Sequence, residues 1–294
     1  MCAMVFLGWM GVLRYGFMIR RMIRPVQRRW NGHGRAVLSG TGAMRYRVPF
    51  AREAMSSDWT IRREMCEVAR RVYDKGLVGG TDGNISARMT GDRLLISPSG
   101  SCLGLLEPAD LVLIDHSGNV ILGNGRPSSE RWMHIEAYRE RPDAQAVIHA
   151  HPPATVAFTV AGIEMDPCAL PEVILAFGRV PVTQYATPAT TEGAVVVREL
   201  IRQYDALVLD RHGSITIGKT LNDAFFKLEK LEHGAHTMVL AHQLGSARRL
   251  PPEEVAKLAA LRESMGIGRA SDVPPSCTPG VSIPSIKPKS NERY

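Results

Sequence analysis

The order of helical and strand-like segments is the feature that most limits how this chain can fold. Ile61, Met65, Val68 and Val72 recur at helical spacing, and several short apolar runs with turn residues between them follow. Further along, longer helical patterns alternate with single strands. This mixture of helices, hairpins and single strands predicts a layered α/β or α+β domain and argues against a barrel.

The individual elements follow from periodicity and from the positions of Gly, Pro and Asn. The predicted strands are 85–89, 94–96, 111–114, 120–121, 146–151, 180–185 and 206–209. The predicted helices are 57–75, 129–140, 153–160, 191–203, 221–244 and 252–265.

Charge is unevenly distributed along the chain, whose formal net charge is +7. Residues 1–52 contain ten arginines and no Asp or Glu, so the remainder holds 26 Lys and Arg against 29 Asp and Glu, a net of −3. The basic character therefore belongs to a leader, and we expect no nucleic-acid partner for the body. The predicted organisation is a basic leader (1–54), one folded domain (55–267) and a Pro/Ser-rich tail (268–294).

The leader has three interpretations. It is an over-extended reading frame with the true start at Met44 or Met55, an Arg-rich targeting peptide, or a weak membrane-surface segment. Its apolar stretch is short and interrupted by Arg14, so we expect no transmembrane segment.

Five cysteines, at positions 2, 66, 102, 168 and 277, are scattered and form no Cys-x-x-Cys pair. This pattern argues against a disulfide framework and against a thiolate metal site. A reducing, cytoplasmic compartment is the expectation that follows.

Histidines supply the sharpest local signal. His149 and His151 lie two residues apart on the apolar strand 146–151, so both imidazoles leave the same face. His212 follows the apolar strand 206–209. Three neutral imidazoles with one open position describe a catalytic metal site, with zinc the preferred ion. The alternatives are a pair of buried strand histidines and a turn histidine in water.

A second signal lies at a predicted helix start, Ser128-Ser129-Glu130. The serines could cap the helix while Glu130 favours the helix dipole, with no further role. Alternatively, the N–H groups and hydroxyls form an anion site beside Glu130 acting as a base. Gly/Ser turns at 81–86 and 97–100 could complete a phosphate site, although each alone is typical of an ordinary turn.

Five short motifs together resemble the class II aldolase/adducin family over roughly residues 57–245: Gly-Asn-Ile-Ser (83–86), Ser-Pro-Ser-Gly (97–100), Pro-Ser-Ser-Glu (127–130), His-Ala-His (149–151) and His-Gly (212–213). The resemblance implies a three-layer α/β/α domain with a central, mostly antiparallel sheet. It also implies a homotetramer with active sites between subunits.

The resemblance further implies a metal-dependent lyase that cleaves a phosphorylated ketose, such as fuculose 1-phosphate, to dihydroxyacetone phosphate and an aldehyde. In that reaction a zinc ion stabilises an enediolate, and Mn²⁺ or Co²⁺ could replace zinc. The implied roles are metal ligands at His149, His151 and His212, an acid/base at Glu130, and a phosphate site at Asn84, Ser99, Gly100, Ser128 and Ser129.

The sequence also departs from the family pattern. Fuculose-phosphate aldolases carry a tyrosine in the segment that matches 171–174, where this chain reads Pro-Glu-Val-Ile, and Tyr294 is a poor match for their C-terminal tyrosine. Phosphopentulose 4-epimerases typically carry Asp at the position of Glu130, which favours aldolase chemistry. A decarboxylase, dehydratase or epimerase of the same family and a non-catalytic, adducin-like scaffold are the alternatives.

Overall fold

The structure, a computed structural model, describes residues 50–245 and 247–268. Its strands are β1 (Asn84–Met89), β2 (Arg93–Ile96), β3 (Val112–Asp115), β4 (Val120–Leu122), β5 (Ala146–Ala150), β6 (Ala206–Leu209) and β7 (Gly213–Gly218). Its helices are α1 (Phe50–Asp74), α2 (Arg131–Glu140), α3 (Pro153–Val160), α4 (Pro171–Phe177), α5 (Glu192–Ile201), α6 (Leu221–Gln243) and α7 (Pro252–Ser264). Most of the predicted leader and tail, with Cys2, Cys277 and Tyr294, lies outside these ranges.

The strands form one sheet in the order β4-β3-β2-β1-β5-β7-β6. Every adjacent pair is antiparallel. The two hairpins expected from the turn residues are confirmed as β1–β2 and β3–β4, and β5 lies between β1 and β7.

Both faces of the sheet are covered by helices, which confirms the three-layer α/β/α arrangement. Side chains alternate along β5, so Ile148 packs in the core beneath α1 and α6, whereas Val147 packs in the core beneath α2 and α5. His149 lies on the same face as Val147, two residues further along. The face that carries the histidine pair is therefore the one covered by α2 and α5.

Three regions differ from the sequence prediction. The predicted strand 180–185 is wrong, because only Val182 forms a bridge, parallel to Val208. Pro181 accepts a hydrogen bond from the Val208 N–H but has no N–H of its own to extend a ladder. Helix α4 was not expected, and α1 begins at Phe50, so Ser57 lies within that helix instead of capping it.

Strand β7 was also missed, although all six of its residues are buried. Its sequence, Gly-Ser-Ile-Thr-Ile-Gly, has only two large apolar side chains and begins and ends with glycine. Glycine and serine are depleted in strands, so the local signal was weak. Pairing with β5 and β6 on both sides decides its structure.

The described cysteines contradict the sequence expectation at one position. Cys66 and Cys102 are free, whereas Cys168 is disulfide-bonded. Within residues 50–245 and 247–268, no helix combines the length and the apolar composition that a bilayer-spanning segment needs.

Candidate metal centre

His149 is fully buried near the end of β5, where β7 fixes its orientation. Its Nδ1 donates a hydrogen bond to the carbonyl oxygen of Ser214 over 2.9 Å. With the proton held on Nδ1, Nε2 keeps a free lone pair and faces away from the strand. The strand pairing of β5 with β7 thus presents one nitrogen ligand.

His151 follows on the same face, immediately after β5. Its Nε2 lies 3.0 Å from Nε2 of His149. Burial and the neighbouring His149 and His212 lower the pKa of His151 to about 4, which keeps the ring neutral near pH 7. On its other side, Nδ1 lies 3.6 Å from a carboxylate oxygen of Asp82.

His212 completes the group from the turn between β6 and β7. Arg211 adopts a φ of 53°, and its N–H donates to Thr159 Oγ1 over 3.0 Å, so α3 holds this turn in place. The ring centroids of the three histidines are 4.8, 4.9 and 5.0 Å apart, which is nearly an equilateral triangle.

Gly213 allows the triangle to close. A Cβ at this position would lie 2.3 Å from the Ala150 carbonyl oxygen, 2.9 Å from His151 Cδ2 and 3.1 Å from His149 Cε1. The first distance is an overlap with backbone that no rotamer change relieves. The glycine after His212 is therefore a packing requirement of the histidine cluster.

Glu130 lies immediately before α2 with its carboxylate directed at the histidines. Its Oε2 is 3.0 Å from His149 Nε2 and its Oε1 is 3.2 Å from His212 Nε2. Burial raises the pKa of this carboxyl, but His149 and His212 outweigh burial and hold the pKa well below its usual range. Glu130 is therefore ionised and can only accept hydrogen bonds.

This donor set fits a divalent cation. The ligand atoms of Glu130, His149, His151 and His212 all lie within 4.8 Å of one another. Ligands on one tetrahedral zinc, each about 2.0–2.1 Å from the ion, lie about 3.3 Å apart. Glu130 Oε1 is buried and accepts no hydrogen bond from the described residues. A bound cation would give this oxygen the partner that buried polar atoms normally have.

The residues predicted for the phosphate site lie in two turns beside Glu130. Ser99 N donates to the Arg126 carbonyl oxygen over 2.8 Å, and Ser128 N donates to the Ser97 carbonyl oxygen over 3.2 Å, so the turns are bonded together. The Ser128 hydroxyl accepts from Glu130 N over 3.2 Å and is buried, whereas Ser129 and Gly100 are exposed. Neither serine caps α2 with its side chain.

Asn84, the fifth predicted phosphate residue, has a different environment. Its side chain is buried and bonded to Glu130 and to His134. A pocket lined by Thr183, Gln184, Thr187 and Thr190 opens beside Glu130 and His212.

His134 and Tyr138, which continue inward from Asn84, were not among the residues predicted for the site. Ser86, which the sequence placed in a turn, lies on β1 and bonds to both. Their signal was spacing: positions 130, 134 and 138 share one face of a helix, and positions 84 and 86 share one face of a strand. Reading the two patterns together would have required knowing that α2 packs over β1.

A family comparison matches residues 63–239 to the class II aldolase and adducin N-terminal domain. Among relatives, a 3-oxo-tetronate 4-phosphate decarboxylase of Cupriavidus necator is 32% identical over 185 residues, covering 62% of this chain and 84% of that protein. An L-fuculose phosphate aldolase of Methanococcus vannielii is 34% identical over 171 residues, covering 58% of this chain and 91% of that protein.

Solved structures agree with the sequence comparison. An L-fuculose 1-phosphate aldolase superposes with a TM-score of 0.64 at 30% identity, covering 69% of this chain and 96% of that chain. The two sequence relatives carry different reaction names on one shared architecture, so the fold alone does not select the reaction.

Proposed function

Because this chain belongs to the class II aldolase and adducin family, we propose that it is a metal-dependent aldolase that cleaves a phosphorylated ketose to dihydroxyacetone phosphate and an aldehyde. The observation that carries the proposal is the convergence of three imidazole nitrogens and the ionised Glu130 within 4.8 Å. A structural zinc site closes four positions with protein ligands, whereas three histidines leave one position open for substrate.

A divalent cation held by His149, His151 and His212 supplies Lewis acidity, which stabilises negative charge that develops on the oxygens of the substrate. Glu130 transfers a proton at the carbon next to the substrate carbonyl. Its unpaired Oε1 faces the histidine cluster, and its Oε2 is held by Asn84 over 3.1 Å. The carboxylate is thus oriented before substrate arrives.

The bonded turns at 97–100 and 126–130 support a phosphate site at Ser99, Gly100, Ser128 and Ser129. Exposed Gly100 and Ser129 leave their backbone accessible to an anion. Asn84 lies at the inner edge of this region, where one hydrogen of its amide is already used by Glu130.

A decarboxylase of a phosphorylated 3-oxo acid is the second candidate, and two observations favour it. A relative named for that activity matches this chain at 32% identity. Family aldolases carry a tyrosine in the segment that forms the start of α4 in this chain, where Pro171 and Glu172 stand instead. Both reactions pass through an enolate-type anion, so the same cation and Glu130 serve either one.

The decisive experiment supplies the zinc-loaded protein with two substrates in parallel. L-fuculose 1-phosphate is assayed for dihydroxyacetone phosphate, and 3-oxo-tetronate 4-phosphate is assayed for carbon dioxide. We expect triose phosphate release that EDTA abolishes and zinc restores. Carbon dioxide release from 3-oxo-tetronate 4-phosphate, with no triose phosphate released from L-fuculose 1-phosphate, would replace the aldolase by the decarboxylase. A protein that binds no zinc would indicate a scaffold.

The proposal has further parts, which family resemblance and composition support. They are zinc as the natural ion, a homotetramer, a cytoplasmic location, and the boundaries of the 1–54 leader and the 268–294 tail. Native mass spectrometry of the purified protein measures the subunit number and the bound metal together. Four subunits with one zinc each is the expected result, and an apo-monomer would contradict both parts.

A further inference from the structure

A continuous chain of hydrogen bonds leads from Glu130 into the core beneath α2. Asn84 Nδ2 lies 3.1 Å from Glu130 Oε2, and Asn84 Oδ1 lies 2.5 Å from His134 Nε2. His134 Nδ1 lies 2.7 Å from Ser86 Oγ, which lies 2.9 Å from the Tyr138 hydroxyl. The four residues beyond Glu130 have exposed fractions of 0–4%.

The chain forms because a helix and a strand run side by side with matching repeats. Glu130, immediately before α2, and His134 and Tyr138 on α2 are spaced four residues apart, a rise of about 6 Å per step along the helix. Asn84 and Ser86 are two apart on β1, a rise of about 6.7 Å. The side chains of the strand therefore fit between those of the helix, and all five polar groups meet.

Chemistry fixes the direction of every hydrogen in this chain. Asn84 Nδ2 donates to Glu130 Oε2, and Asn84 Oδ1, which can only accept, faces His134 Nε2. His134 Nε2 then carries the hydrogen and Nδ1 accepts from Ser86. Burial is the largest cause that lowers the pKa of His134 to about 3, so the ring is neutral and has one hydrogen to give.

We propose that Asn84, His134, Ser86 and Tyr138 form a positioning relay that holds Glu130 Oε2 and leaves Oε1 free to exchange a proton with substrate. The inference rests on the proposed function for the step that Glu130 performs. His134 is a positioning residue, since it contacts neither the histidine cluster nor the pocket beside it.

The role of His134 is to define which way the Asn84 amide points. Without a donor at Nε2, the amide could turn and place its oxygen 3.1 Å from the carboxylate, where two acceptors repel. Glu130 would then lose its orientation, although metal ligands and phosphate turns would be untouched. A loss of turnover without a loss of substrate or metal binding is the expected signature.

A matched pair of substitutions separates this role from a structural one. In His134→Gln the longer amide reaches the position of Nε2 and can still donate to Asn84. In His134→Asn the shorter amide reaches only the position of Nδ1, beside Ser86. Both introduce a primary amide, so their folding costs should be similar.

We expect His134→Asn to lower kcat on the order of 10–100-fold, and His134→Gln to stay within about fivefold of wild type. KM and bound zinc should stay constant in both variants. Equal kcat in the two variants, or a loss that appears only in KM or in zinc content, would overturn the proposal.

A second measurement does not depend on activity or on the variants folding. Nitrogen-15 NMR of the wild-type protein reports which nitrogen of His134 carries hydrogen at neutral pH. The relay requires hydrogen on Nε2 and none on Nδ1, and the opposite tautomer would overturn it. A wild-type protein that shows this tautomer but cleaves neither substrate would contradict the proposed function while supporting the relay.

Discussion

Two fully buried histidines lie near Glu130, His149 beside its carboxylate and His134 linked to it through Asn84, and their hydrogen bonds differ in one respect. His149 uses Nδ1 on a backbone carbonyl and leaves Nε2 facing His151 and Glu130. His134 has both nitrogens bonded, one to Asn84 and one to Ser86. Burial alone therefore does not distinguish the two rings. His149 differs because its Nε2 is directed at His151 Nε2 and Glu130, within the group that could hold a metal ion.

The same contrast divides Glu130 itself. Oε2 accepts from Asn84, whereas Oε1 accepts nothing from the described residues. We call the side of Glu130 that faces the histidine cluster the open side, because no described residue donates a hydrogen bond to Oε1 and Oε2 lies 3.0 Å from His149 Nε2. We call the side where Asn84 donates to Oε2 the closed side. In decreasing order of expected effect, two of the following predictions concern the open side, one concerns Glu130 itself and one concerns neither side.

The largest effect is expected on the open side from His149→Ala. Removing a nitrogen at the centre of the cluster should abolish stoichiometric zinc binding and reduce activity below detection. Zinc is measured by mass spectrometry after dialysis, beside turnover. His233→Ala, at an exposed histidine of α6, is the control and should keep both. Retained zinc in His149→Ala would exclude the three-histidine site.

Glu130→Gln tests the residue that both sides share. The amide keeps the size of the side chain but cannot take up a proton, so kcat should fall roughly 10²–10⁴-fold. Bound zinc should be unchanged, because Glu130 is proposed as a proton carrier. Glu199→Gln, at an exposed side chain, is the control. Full turnover in Glu130→Gln would remove the residue from the mechanism, and lost zinc would make it a ligand.

Gly213→Ala disturbs the open side through packing alone. The added Cβ would meet the Ala150 carbonyl oxygen at 2.3 Å and must displace β5 or the turn of His212. We expect zinc affinity to fall about 10–100-fold and unfolding free energy to fall by about 1–3 kcal/mol. Gly79→Ala, where a Cβ meets nothing within 4 Å, is the control for titration and thermal unfolding. Unchanged zinc affinity in Gly213→Ala would contradict the close packing.

Truncation to Met55 should have the smallest effect, since it touches neither side of Glu130. The first buried side chain among the described positions of α1 is Arg62, well beyond the cut. Turnover and zinc should match the full chain, and unfolding free energy should agree within about 0.5 kcal/mol. An insoluble or inactive product would show that the leader is structural.

The sequence predicted the structure best where a single local pattern was sufficient. The hairpins β1–β2 and β3–β4 follow from their turns, and the shared face of His149 and His151 follows from strand geometry alone. The five motifs also indicated the layered fold and the family, because the residues within each motif lie close together in the sequence. These properties need no knowledge of which elements touch.

Strand β7 and the positioning relay could not be predicted from a local pattern. The sequence by itself determined the same-face histidine pair and the alternation of helices and strands. Only the tertiary structure decided that β7 supplies the carbonyl for His149, and that α2 lies over β1 so that His134 meets Asn84. The physical reason is that a hydrogen bond between residues 50 positions apart depends on which elements pack together, whereas a spacing of two or four depends only on the backbone.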